Sequence, residues 1–205
     1  MTTPVQSHVM AHLSPLSGDL VDIVQEAWRR WRKHDFAARW RKRGRANFLW
    51  EEMVDLAQTR FQPGSGVVAI EKGETVSFVV NQQVLFRFKK GDETGVSSNV
   101  RTGQAVAFHD HGQVLLDMPQ VSRVELVYQL NQLETAVLDI MIVARQGKTV
   151  LWKHSLLQAQ SQVIPLLTTA PTPPRPTENK RARVRRAGSD NANEVEKVDK
   201  DAQQS

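Results

Sequence analysis

The apolar positions change period once along the chain, near Gly66. Before that point the spacing is helical. Leu20, Ile23, Val24, Ala27, Trp28 and Trp31 recur at steps of three and four, which places them on one helix stripe. Ser17-Gly18-Asp19 supplies N-cap oxygens, and Asp22 and Glu26 come early while Arg29 to Lys33 come late, as the helix dipole favours. The stripe then breaks, because Phe36 and Trp40 fall on a different face at ~100° per residue. The pattern predicts a turn at His34-Asp35, with Asp35 capping a short helix from Phe36 to Arg43 and Gly44 closing it in a left-handed conformation. Asn47 is placed to cap a third helix with Leu49, Met53 and Leu56 inward, running to about Arg60. Pro63-Gly64-Ser65-Gly66 is a break.

After Gly66 the period is two. Val76, Phe78 and Val80, then Val84, Phe86 and Phe88, alternate with other residues around Asn81 to Gln83, which reads as a hairpin with a Phe-rich buried face. Gly91 to Val100 reads as a loop, Thr102 as the cap of a short helix from Gly103 to Phe108, and His109 to Gln120 as irregular chain. Three further strand signals follow: Val124 to Leu130, Leu138 to Ala144, and Val150 to Leu156 after the Gln146-Gly147 turn. Short turns between them imply an antiparallel meander. Helices first and strands after define an α+β class, with the helices packed on the sheet. Residues 1–16 lack periodicity and read as a flexible N-terminus. One domain spans 17–167, helical over 19–61 and sheet over 66–157. From Thr168 the chain turns Pro-rich, then basic at Lys180 to Arg186, then acidic, and 168–205 is expected to be a disordered tail.

Charge sharpens this picture at one place. Trp28 to Arg45 carries nine of the chain's 27 Lys and Arg, one acid, Asp35, and three of its five Trp. Its local charge is +8 against +5 for the whole chain, so the remainder is net −3. The chain has no Cys, which removes disulfides, thiolate metal sites and Cys nucleophiles. No apolar run reaches the ~18–20 residues of a membrane helix, and the first residues lack the basic and apolar regions of a secretory signal. The expectation is a cytoplasmic protein with no membrane partner.

Arg87, Phe88, Lys89, Lys90, Asp92, Gly95, Ser97, Asn99, Thr102 and Ala105 form a pattern RFKK-x-D-x-x-G-x-S-x-N-x-x-T-x-x-A, followed by Val150-Leu151-Trp152. The pattern resembles that of a group of small bacterial and prophage proteins, over roughly residues 45–157. The resemblance implies a mobile-element or phage-defence setting and no catalytic residue.

Three readings fit the Trp/Arg segment. Arg29, Arg30, Arg32, Lys33, Arg39, Arg41, Lys42, Arg43 and Arg45 can neutralise phosphates, with Trp40 stacking on bases. The same cations can dock an acidic protein, as in an antitoxin, an inhibitor or a complex subunit, or meet an anionic membrane surface. The third reading is a packing helix with core Trp and solvated Arg. Arg87, Lys89 and Lys90 can extend an anion-binding face, since Arg87 and Lys89 share one side of a strand. Asp92, Ser97 and Asn99 either join such a site or only make turns. His109-Asp110-His111 offers two imidazoles at i and i+2, but no third zinc ligand at definite spacing. No nucleophile elbow, P-loop, dinucleotide fingerprint or clustered acid set is legible, so no catalytic residue, metal or cofactor is assigned. The expected function is a non-catalytic regulatory protein that contacts nucleic acid, or alternatively a protein–protein component.

Overall fold

The computed structural model describes residues 3–97, 103–112 and 121–161. Helices α1 (Gln6–Leu13), α2 (Ser17–Lys33) and α3 (Lys42–Arg60) come first, with a 3-10 turn, Ser14–Leu16, between α1 and α2. Strands β1 (Val67–Lys72), β2 (Thr75–Val80) and β3 (Val84–Gly91) follow. Helix α4 (Gly103–His109) precedes β4 (Ser122–Leu130), β5 (Val137–Gln146) and β6 (Thr149–Ser155), and α5 (Leu156–Ser161) comes last. The six strands form one sheet in sequence order. Every neighbouring pair is antiparallel except β3 and β4, which run parallel. A parallel pair needs a crossover connection, and the chain containing α4 supplies it. The α+β class holds.

The two faces of the sheet carry different layers. On one, Phe78, Phe86, Phe88, Leu126, Ile140 and Ile142 are buried in a continuous core with Leu20, Val24, Trp31, Leu49 and Met53 of α2 and α3. Helices α2 and α3 pack antiparallel, pinned by Asp19–Arg60 at 2.7 Å at one end and Arg30–Glu52 at 2.9 Å further along. On the other face, Val79 and Leu85 are covered by Phe108 of α4, and Val127, Met141 and Val143 form a second apolar cluster. Apolar residues at both parities of β3, β4 and β5 thus reflect a sheet covered on both sides.

Several expectations need correction. The N-terminus is not a flexible lead: α1 buries Val9 and Leu13 completely, and Trp152 Nε1 donates to the Pro4 carbonyl at 2.6 Å. The short helix from Phe36 to Arg43 is instead a turn, His34 to Trp40, and α3 begins at Lys42, so Gly44 and Asn47 lie inside that helix rather than capping one. Ser17 does not cap α2; its hydroxyl donates to the Ser14 carbonyl at 2.8 Å. Strand β1 and the parallel β3–β4 pair enlarge the expected hairpin and meander to six strands. Thr102, Asn99 and the tail from Thr168 lie outside the described residues.

Candidate functional site

The segment joining α2 to α3 is folded by its aromatic residues. The His34 N–H donates to the Trp31 carbonyl, and the Arg39 and Trp40 N–H groups donate to the Phe36 carbonyl at 2.9 Å. Phe36 stacks between His34, at 4.5 Å between centroids, and Trp40, at 4.2 Å. Trp31 and Phe48 close the cluster from the core side. Trp31 is buried and Trp28 packs on the core, so these two rings are structural. Trp40 is 47% exposed. Its ring lies on the α3 backbone at Gly44, where an added Cβ would stand 3.0 Å from Trp40 Cε3. Glycine at that position leaves room for the indole beside the helix.

The nine cations of this stretch divide into two sets. Arg29 and Arg30 pair with Glu26, and Arg30 also pairs with Glu52. Arg32 donates to the Thr135 carbonyl at 2.9 Å. Arg45 is bonded to Glu134, which lies in the turn between β4 and β5 with a left-handed φ of 53°. The same carboxylate takes Lys90 at 2.6 Å and Lys42 at 3.6 Å. Burial pushes Glu134 up, but its bonds to Lys90 and Arg45 overcome that and bring its pKa down to about 2. Lys33, Arg39, Arg41 and Arg43 have no ion-pair partner among the described residues. All four are exposed. Arg41, Lys42 and Arg43 also crowd the positive end of α3, which has no acid in its first turn and no side-chain cap. Cations at that end work against the helix dipole by some tenths of a kcal/mol each, and an anion relieves the cost.

Glu134 therefore links two parts of the predicted site, the start of α3 and the end of β3 at Lys90. Arg87 is not part of that surface. It is 5% exposed and belongs to a buried ionic cluster on the α4 face of the sheet. Glu125, fully buried, accepts from Arg87 at 3.1 and 2.8 Å, from Arg145 Nε at 3.0 Å and from the Ser97 hydroxyl at 2.8 Å. His109 Nε2 stands 3.0 Å from Arg87 and 2.8 Å from Arg145. The same nitrogen lies 3.3 Å from Glu125 Oε1, so its tautomer sets whether it accepts from the guanidiniums or donates to the carboxylate. Arg87 also lies 3.8 Å over the Phe108 ring. An open cavity of about 850 Å³ reaches this cluster, with Ser97, His109, Arg145 and Lys148 in its lining.

The remaining sequence candidates have local tasks. Asp92 accepts from the Thr94 and Val96 N–H groups, so it makes a turn. Ser97 is the cluster's hydroxyl. His109 is committed to Arg87 and Arg145, and His111 Nε2 meets the Arg145 carbonyl at 3.0 Å.

The cluster predicts acid lability. Burial, joined by the charges of Arg145 and Arg87, lowers the His109 pKa below its ordinary 6.5 despite the opposing pull of Glu125. Burial alone would raise Glu125, but His109, Arg87 and Arg145 hold it below its ordinary 4.5. Both groups bind protons more readily in the unfolded chain. Their stabilisation is complete above about pH 6.5 for His109 and about pH 4.5 for Glu125, and is lost as pH falls below each. Urea melts should show unfolding free energy declining steadily from about pH 7 to about pH 4. A flat profile would contradict the cluster as described.

No protein-family model, curated protein or solved structure matches the chain. Among the described residues, no helix is long and apolar enough to cross a membrane.

Proposed function

We propose that the protein is a non-catalytic nucleic-acid-binding protein whose contact surface is the α2–α3 turn with the first turn of α3. The observation that carries this reading is the pairing of exposed Trp40, stacked on Phe36 and close against Gly44, with unpaired Arg39, Arg41 and Arg43 at or beside a positive helix end. Guanidinium groups without carboxylates suit phosphates, and an exposed ring fixed at low entropy cost suits a base. A packing role alone explains Trp28 and Trp31 but not the exposure of Trp40.

The test is to replace Arg39, Arg41, Lys42 and Arg43 together with Gln. Stability should be unchanged or slightly higher, because self-repulsion and the clash with the helix dipole are relieved while helix propensity is kept. Binding to a mixed-sequence oligonucleotide should weaken. The slope of log K against log salt should flatten by ~0.7–0.9 for each phosphate no longer neutralised. Unchanged binding and slope would sink the proposal. Negligible nucleic-acid affinity alongside salt-sensitive association with an acidic protein would instead favour the protein-docking reading.

A further inference from the structure

The α4 face of the sheet holds more buried positive charge than its acids balance. Lys89 follows Arg87 two positions along β3, so alternation puts both on this face. Burial, and then the charge of Arg87, pulls the Lys89 pKa down to about 8, while Glu125 pulls the other way. Burial likewise leaves Arg87 below its ordinary value, again against the charge of Glu125. Arg87, Arg145 and Lys89 thus share one carboxylate among the described residues, and three cations less one anion leave a local charge of +2. His109 adds no negative charge in either protonation state. Buried charge without a full counter-charge is held at a cost that a further anion would remove.

Arg145 is the group that an incoming anion meets. Its Nε and Nη2 are committed to Glu125, Ser97 and His109. Nη1 donates to nothing among the described residues. Among those residues Tyr128 Oη alone is both sealed and unpartnered, so Nη1 keeps contact with solvent. Arg145 lines the cavity of about 850 Å³, and that is where Nη1 opens. The volume lies within the usual range of small-ligand sites, roughly 300–1,000 Å³. A second cation, exposed Lys148, stands at the rim. Its turn is tied to the end of α4, where the Gly147 N–H donates to the His109 carbonyl at 3.4 Å. Asp110 is the one carboxylate in the described lining. It is exposed, and it accepts from the Gly112 N–H at 3.0 Å.

The rest of the wall is apolar. Val96, Ala105 and Val106 line it, and Val106 is 48% exposed. An oxyanion alone leaves that wall in water, whereas an apolar body joined to the oxyanion covers it. We infer that the cavity on the α4 face binds a small organic anion, with its carboxylate or phosphate group on Arg145 and Lys148 and its apolar body against Val96, Ala105 and Val106. The site lies on the sheet face opposite α2 and α3, so it needs nothing from the α2–α3 turn and stands independently of the nucleic-acid reading. A bound anion also braces the crossover layer, because Arg145 joins β5 to β4 through Glu125 and to α4 through His109.

Thermal melts of the full chain compare three probes at equal ionic strength: benzoate, phenyl phosphate and neutral benzyl alcohol. At ~10 mM, about ten times a Kd on the order of 1 mM, the two anions should raise the melting temperature by ~3–6 °C. Benzyl alcohol should raise it by less than ~1 °C. The larger of the two anion shifts identifies the bound group as carboxylate or phosphate. Val106→Glu sets a like charge at the mouth on an exposed position, so it should weaken both anions ~10-fold and cut their shifts to about 1 °C. Arg145→Lys removes Nη1 and should do the same. It also disturbs the buried ion set, so Val106→Glu carries the test if that variant fails to fold. Replacing Arg39, Arg41, Lys42 and Arg43 with Gln should leave the anion shifts unchanged. Benzyl alcohol matching the anions, shifts that persist in Val106→Glu, shifts lost in the turn variant, or no shift with any probe would each overturn the cavity site.

Discussion

Replacing Glu125 with Gln should cost ~3–5 kcal/mol, the range for removing one partner of a buried ion set. The carboxylate is the sole acid in direct contact with Arg87 and Arg145 among the described residues, and all three side chains are at least nine-tenths buried. Glutamine nearly preserves the shape. It removes the charge, however, and places an amide NH2 where the guanidinium donors of Arg87 and Arg145 need an acceptor. Two like charges would then share a low-dielectric site with no anion between them. For a domain of this size each kcal/mol moves the melting temperature by roughly 2–4 °C, so the drop should be about 6–20 °C. A thermal melt near neutral pH checks it, and a loss under about 1 kcal/mol would mean that water reaches the cluster and screens it. The loss should also carry the acid sensitivity with it. In Glu125→Gln, the pH dependence below about 4.5 should shrink to what Glu134 and the other paired carboxylates contribute, leaving the His109 part. The consequence for structure is local. Glu125 draws β3, β4, β5 and the end of α4 to one point, so its loss should loosen the crossover layer before the α2–α3 layer.

That cluster shows where the sequence is readable and where it stops. Alternation places Phe86, Phe88, Leu126, Ile140 and Trp152 on one face, and all five are buried in or packed against the α2–α3 core. The opposite parity carries Leu85, Val127, Met141 and Val143, which are also buried. A strand apolar at both parities signals a sheet covered on both sides. On such a strand a charged residue is buried by default, so Arg87, Glu125 and Arg145 were marked by the apolar residues two positions away. Reading Arg87 as an exposed companion of Lys89 overlooks that signal. Pairing Arg87 with Glu125 and Arg145 depends on the parallel β3–β4 register, Arg87↔Glu125, which no local spacing encodes. The basic turn was legible as a charge cluster. Its division into paired and unpaired cations was not, because Glu134 reaches Arg45 and Lys90 across 89 and 44 residues of sequence. Helix α1 was missed for a related reason. Val9 and Leu13 make only one short apolar step, and Pro4 is fixed by Trp152 from the far end of the domain.

Phe88→Ala should be as costly as the loss of Glu125, by a different route. Phe88 is fully buried and meets Phe78 and Phe86 edge-to-face, at 5.6 and 5.7 Å between centroids. Truncation removes apolar area from the core, leaves a cavity and breaks both aromatic contacts, which together predict a loss of ~3–5 kcal/mol. The position gives the result a second use. Phe88 lies on the sheet face that α2 and α3 cover. It has no part in the aromatic cluster that holds Trp40. Measured well below its lowered melting temperature, the variant should therefore keep the salt-dependent affinity of the α2–α3 turn for a duplex. Chemical denaturation at room temperature gives the stability, and anisotropy at the same temperature gives the affinity. A stability loss below about 1 kcal/mol would show that the three phenylalanines are not close-packed. A stability loss with duplex affinity reduced in proportion would show that the turn depends on the sheet core, and would separate the surface proposed here from the one the protein uses.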